Sequence, residues 1–135
     1  MKTAFEYSQK FKSSLDEVVI QVGRIILQLD DHLQNYNRFV LDLVLRETLN
    51  NAVIHGNGND PEKHVKLSLG IVAEDFVIVV EDQGSGFEWQ QVIHGEAKPY
   101  EDHGRGYPIF QSYCSHIHLN NKGNQITLTL PMNKQ

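Results

Sequence analysis

A single cysteine, Cys114, in 135 residues excludes a disulfide within the chain. It stands among apolar and aromatic residues, which favours a buried structural thiol over a reactive one. Long apolar runs are missing too: none approaches the ~20 residues that cross a bilayer, and Met1 to Glu6 lack the apolar core of a signal peptide. Cytoplasmic residence, with no membrane partner, is the expectation from these absences. Positive charge is in short supply: 12 Lys and Arg against 17 Asp and Glu leave a net charge of -5, which argues against a general nucleic-acid or membrane-surface binder while leaving room for a local basic patch. No repeat, low-complexity tract or Pro/Ser-rich linker divides the chain, so one domain over residues 1–135 is expected. The phosphate loop Gly-x-x-x-x-Gly-Lys-Ser/Thr is absent, as are the His-Arg-Asp and Asp-Phe-Gly triplets of eukaryotic-type protein kinases. The histidines, among them His55, His94 and His103, lack metal-ligand spacing and read as cap, loop or lid residues.

What is present is an ordinary globular pattern, 40% apolar and 21% charged. Residues 4 to 11 suit an edge strand. Ser13 and Ser14 followed by Asp16 and Glu17 mark a helix start, and Val18, Val19, Val22, Ile25, Ile26 and Leu29 carry that helix to about residue 32. A second helix is predicted over 37–55, closed by the turn cluster from Gly56 to Pro61. Val65 to Leu69 alternates as a half-buried strand, and the continuous run Phe76 to Val80 predicts a central strand. Residues 88–103 are irregular and polar, a helix follows from Arg105 to about Cys114, and strands are predicted at His116–Leu119 and Ile126–Leu130, joined through Asn120 to Gly123. This order predicts a two-layer α/β sandwich with a mixed, mostly antiparallel sheet and the helices on one face.

Three polar islands interrupt the pattern. Glu47 and Asn51, four apart on the second helix, share the face of Val40, Val44 and Ile54. Burying them without partners costs a few kcal/mol, so they either face a ligand cavity or mark a surface Glu and a capped helix end. In the first case Asn51 would offer an amide oxygen to a hard cation such as Mg²⁺, and Glu47 would orient or deprotonate a nucleophile. Asp82, with Gly84 and Gly86, follows the strand 76–80. It would accept the exocyclic amine of adenine, with the glycines letting the backbone come close to the ring; the plainer reading is a turn. Gly104, Arg105 and Gly106 open the third helix, with Pro108 in its first turn. Free N–H groups there would hold phosphate, or the stretch is a flexible loop before a capped helix.

Taken together the islands resemble the GHKL, or Bergerat-fold, ATPase superfamily, and among its members the bacterial anti-sigma factor serine/threonine kinases. The asparagine box Glu-x-x-x-Asn-Ala-(apolar)-(apolar)-His-Gly is matched by Glu47, Asn51, Ala52, Val53, Ile54, His55 and Gly56. The first glycine box is matched by Asp82, Gly84, Gly86 and Phe87, and the second by Gly104, Gly106, Ile109 and Phe110. The resemblance covers nearly the whole chain. It implies ATP and Mg²⁺ as cofactors, Asn51 as the metal ligand, Glu47 as the general base and Asp82 as the adenine reader. Gly84 and Gly86 would shape the base pocket, residues 88–103 would form an ATP lid, and Gly104, Arg105 and Gly106 would hold phosphates. One departure stands out: the threonine usual before the last strand is replaced by Asn124-Gln125, so Asn124 or Gln125 substitutes for its contact near adenine or that contact is lost.

The resemblance further implies a protein serine/threonine kinase that binds a sigma factor in one state and, in the other, phosphorylates a STAS-type anti-anti-sigma partner, with homodimerisation possible. With no phosphohistidine domain ahead of the fold, a self-contained sensor histidine kinase is not expected. The alternative is a module of the same fold that sequesters a partner, with or without nucleotide, and transfers no phosphate. The carboxylate at Glu47 favours the enzyme, since a nucleotide sensor needs no base. A third reading, an ATP-hydrolysing switch, fits a short chain without a transducer domain less well.

Overall fold

The computed structural model describes residues 5–85 and 102–133, apart from the side chains of 102–106. Strand β1 (Phe5–Lys12) leads into helix α1 (Leu15–His32), which starts as its residues dictate. Ser14 is the N-cap, its Oγ accepting from the Glu17 N–H at 3.1 Å, and Asp16 and Glu17 complement the positive end of the helix. Val18, Val22, Ile25 and Leu29 form the buried stripe. Val19, expected in that stripe, is exposed, and Gln21 is buried in its place, taking a hydrogen bond from the Tyr7 hydroxyl.

Asn37 caps helix α2 (Arg38–Asn51), accepting from the Val40 N–H at 3.1 Å. The α-helix does not run to residue 55 as predicted. It ends at Asn51 and widens into a π turn, Ala52–Gly56. Such widened turns gather at functional sites because they re-aim the chain without ending it. Strands β2 (His64–Val72) and β3 (Asp75–Glu81) follow, then helix α3 (Asp102–Tyr113), β4 (His116–Leu119) and β5 (Gln125–Pro131).

The strand order is β1-β2-β3-β5-β4, and every pairing is antiparallel. Among the described residues the sheet of the expected mostly antiparallel sandwich is thus antiparallel throughout, without the parallel pair that a mixed sheet would have. The run Phe76 to Val80 is the middle strand, as expected. Phe76, Ile78 and Val80 are buried, while Val77 and Val79 are only partly so, because the helices cover one face. On that face the core joins Val22, Ile25 and Leu29 of α1, Leu41, Val44, Leu45 and Leu49 of α2, Phe110 of α3, and Leu128 and Leu130 of β5.

Helix α3 starts at Asp102, earlier than the predicted Arg105. Gly104 is thus its third residue and Gly106 its fifth, so of the two only Gly104 has one of the free N–H groups of the first turn. Pro108 is not in the first turn; it lies inside the helix, which runs one hydrogen bond short there. No described helix is long and apolar enough to cross a membrane.

Candidate functional site

The C-terminal end of α2 and the C-terminal end of β3 meet at a small recess of about 20 Å³, open to solvent on one side. Thr48 and Asn51 come from α2, Asp82 from just beyond β3, and Asn124 and Gln125 from the entry to β5, over an apolar floor of Ala52, Val80 and Ile126. Asn51 and Asp82 are each only 8% exposed. The Asn51 Nδ2 is buried with no hydrogen-bond partner among the described residues. A buried amide left open on one side costs about 1–3 kcal/mol, so the position is organised for something other than stability. Thr48, one turn earlier, directs its hydroxyl proton to the Val44 carbonyl at 2.6 Å and keeps its lone pairs toward its surroundings.

Asp82 extends the sheet by one more bond, its N–H donating to the Asn124 carbonyl at 2.9 Å. Its Oδ1 accepts from the Gly84 N–H at 2.8 Å, closing a tight turn. Burial pushes the Asp82 carboxyl above the usual carboxylate range. The Gly84 N–H pulls it back, Glu81 raises it further, and Lys63 and Lys122 lower it. The result is an acceptor kept short of water, which strengthens any hydrogen bond it takes from a ligand.

Gly56, the last residue of the π turn, lies flat against this carboxylate: a Cβ there would stand 2.2 Å from Asp82 Oδ2. A Cβ on Gly84 would stand 1.8 Å from the Gly56 carbonyl oxygen. Both glycines are demanded by close approach of two chain segments rather than by an unusual φ. Next to them Asn57, 2% exposed, is fully paired. Its Nδ2 donates to Ser13 Oγ and to the His64 carbonyl, each at 3.0 Å, and its Oδ1 accepts from the Gln83 N–H at 2.7 Å.

Of the residues singled out in the sequence, Asn51, Asp82 and Asn124 converge on the recess, with Gly84 bonded to Asp82 beside it. Glu47 is half-buried one turn before Asn51 and does not line the recess. Ile54 on the same face is half-buried. Gly86, Phe87 and most of the predicted lid over 88–103 lie outside the described residues, as does the side chain of Arg105, while Gly104 and Gly106 are described by their backbone alone. Cys114 is a partly buried thiol with its pKa pushed up to about 12 by desolvation, the structural role expected of it. Sequence reasoning passed over Thr48, Asn57 and Asn120 and gave Gly56 no role of its own. Only Thr48 carried a usable signal, its three-residue spacing to Asn51 on one helix face. Among the described residues no group of three or more His, Cys, Asp or Glu is placed to hold a metal.

Comparison with known proteins fits this geometry. The family profile described as "Histidine kinase-like ATPase domain" matches residues 14–130. The protein named anti-sigma F factor of Shouchella clausii (strain KSM-K16) is 24% identical over 102 residues, covering 73% of this chain and 68% of that protein. The anti-sigma F factor of Anoxybacillus flavithermus is 27% identical over 112 residues, 80% of this chain and 75% of its own length. That of Clostridium perfringens (strain SM101) is 26% identical over 121 residues, 84% and 85% of the two chains. The family's name implies that the domain binds ATP. With a match running from the Ser14 cap of α1 to the last buried leucine of β5, on a helix-backed antiparallel sheet, this chain belongs to the histidine kinase-like ATPase domain family.

Proposed function

We propose that the chain is an ATP-dependent serine/threonine kinase of the anti-sigma type, which binds a sigma factor and phosphorylates a STAS-type partner. The observation that carries this reading is the open, buried amide of Asn51 in the same recess as the buried carboxylate of Asp82. Asp82 takes the adenine amine. Gly84, with Gly86 beyond it, lets the backbone come close to the base, and the free N–H of Gly104 together with Arg105 holds the phosphates. The Asn51 amide fits one corner of a magnesium site. A half turn of the amide exchanges nitrogen for oxygen, and a cation that keeps several waters and takes oxygens from phosphates needs few protein ligands. When bound, Mg²⁺ would neutralise charge on the phosphates.

Glu47 is the base of this scheme. It takes the proton of a serine or threonine hydroxyl on the partner as that oxygen bonds to the γ-phosphorus and ADP leaves. The names of the relatives support a sigma factor as the bound partner; the kinase step, the STAS partner and a homodimer rest on the family resemblance. The second reading, a sequestering module without phosphate transfer, draws support from Glu47 standing outside the recess lining. Calorimetric titration of ATP, with and without magnesium, into the protein and into Asn51→Ala tests the site. The expected result is saturable, magnesium-dependent binding that Asn51→Ala loses. Equal binding by Asn51→Ala would sink the metal-ligand role, and no binding at millimolar ATP would favour the sequestering module.

A further inference from the structure

The β4–β5 turn holds two asparagine amides whose direction backbone groups alone dictate. Asn120 Oδ1 accepts three N–H groups, from Gly123 at 2.8 Å, Asn124 at 3.0 Å and Gln125 at 3.2 Å. Gly123 sits at φ +81°, which turns these successive donors inward. Three donors require an oxygen at that atom, so the other end of the Asn120 amide is Nδ2, and it donates to Asn124 Oδ1 at 2.7 Å. Asn124 must then present its own Nδ2 to the Asp82 carbonyl, 3.2 Å away, and a carbonyl can only accept. Reversing either amide would set oxygen against oxygen or N–H against N–H.

An amide nitrogen carries two hydrogens. One from Asn124 goes to the Asp82 carbonyl, and the other remains on a side chain that lines the recess beside the Asp82 carboxylate. A donor next to an acceptor complements adenine, whose pairing edge offers the N1 acceptor next to the N6 amino donor. Guanine offers the reverse, an N1–H donor next to the O6 acceptor, and would meet this pair with like against like.

We propose that Asn120 is a positioning residue that locks the Asn124 amide with its donor side at the recess, making Asn124 the second reader of the base beside Asp82. The proposal rests on the reading of the recess as the adenine pocket. It also answers the missing threonine: Asn124 supplies a contact at that place with a polarity that Asn120 sets.

The discriminating variant is Asn120→Asp. It keeps an oxygen for the three backbone donors, so the turn holds at least as well. It loses the donor to Asn124 and sets a carboxylate oxygen against Asn124 Oδ1, so that amide cannot keep its arrangement: turned over, it gives up its bond to the Asp82 carbonyl. Three readouts are needed: urea stability, the Asn124 side-chain amide resonances in nucleotide-free protein, and titrations with ATP and GTP. The expected result is unchanged or higher stability, shifted Asn124 side-chain resonances, and ATP affinity lower by about tenfold, the worth of one hydrogen bond. The ATP-over-GTP ratio should fall at least as far, and Asn124→Asp, which replaces the donor by an acceptor, should lose the ratio in the same way. Unmoved resonances, an unmoved ratio, or losses that only follow a loss of stability would overturn the proposal. If the unsubstituted protein binds neither nucleotide, the adenine-pocket reading fails and base reading by Asn124 fails with it, while the resonances still decide whether Asn120 locks the amide.

Discussion

Replacing Gly56 by alanine sets two effects of opposite sign against each other. Gly56 is not among the residues with positive φ, so alanine fits its backbone, and the loss of freedom in the unfolded chain favours the variant by about 0.4–1 kcal/mol. Against this, the new Cβ would stand 2.2 Å from Asp82 Oδ2, 2.4 Å from its Cγ and 2.9 Å from its Oδ1. The carboxylate must swing away. That forfeits its 2.8 Å bond to the Gly84 N–H, worth about 1.5–3 kcal/mol for a charged acceptor, and strains a side-chain torsion by about 1 kcal/mol. The net expectation is a loss of about 2–3 kcal/mol. Gly23, in α1, has nothing within 4 Å of its would-be Cβ, so Gly23→Ala should gain about 0.5–1 kcal/mol. Urea denaturation of both variants, read as a shift in midpoint at constant m, measures the contrast. A Gly56→Ala protein as stable as the unsubstituted one, or a Gly23→Ala protein that loses as much, would refute the close-approach argument.

Gly84→Ala should cost more than Gly56→Ala in the same assay, because its Cβ would stand 1.8 Å from a backbone oxygen that cannot swing aside; a smaller loss would show that the two segments separate easily. Asp82→Asn should weaken ATP binding yet raise the stability of the nucleotide-free protein at neutral pH. The Asp82 carboxyl is raised in the folded state, so the folded protein binds the extra proton between the unfolded and folded values. Stability therefore falls as pH rises through that window and is restored as pH falls. Urea midpoints from pH 4 to 7 should show a flatter profile for Asp82→Asn, and a steeper one would reverse the sign argued here. Cys114, with its pKa pushed up to about 12, should react with a disulfide reagent at pH 8 about a thousandfold more slowly in the native state than in urea. Equal rates in both states would mean that its burial is not maintained in solution.

Much of this was legible locally. The start of α1 could be read because a cap and early acids act within four residues of one another, and β2 and β5 because burial on one side writes itself as alternation. Asn51 and Asp82 stood out because each places a polar group where an apolar pattern calls for none. Where reading failed, the deciding contact was distant or left no periodic trace. The π turn spans five residues, too few to shift a helical repeat. The early start of α3 hid behind Gly104 and Gly106, whose weak helix preference marks a boundary only when nothing else favours the helix. Val19 looked like part of the stripe of α1, but Gln21 is buried because Tyr7 of β1 needs an acceptor there. Nothing in the order of residues announced that Gly56 and Asp82 would touch.

The bonds around Asn57 close on themselves. Asn57 donates to the His64 carbonyl, the His64 N–H donates to Gln83 Oε1 at 2.6 Å, and the Gln83 N–H returns to Asn57. Ser13, between β1 and α1, is tied in from the side, by Asn57 and through its own N–H to the Lys63 carbonyl at 2.9 Å. Opening any one member breaks bonds that tie together the other three segments, so these segments should exchange their amide hydrogens as one cooperative unit. The backbone next to the recess thus borrows its rigidity from the far end of β1, and a loosening at Ser13 would be registered at Gln83, next to Asp82.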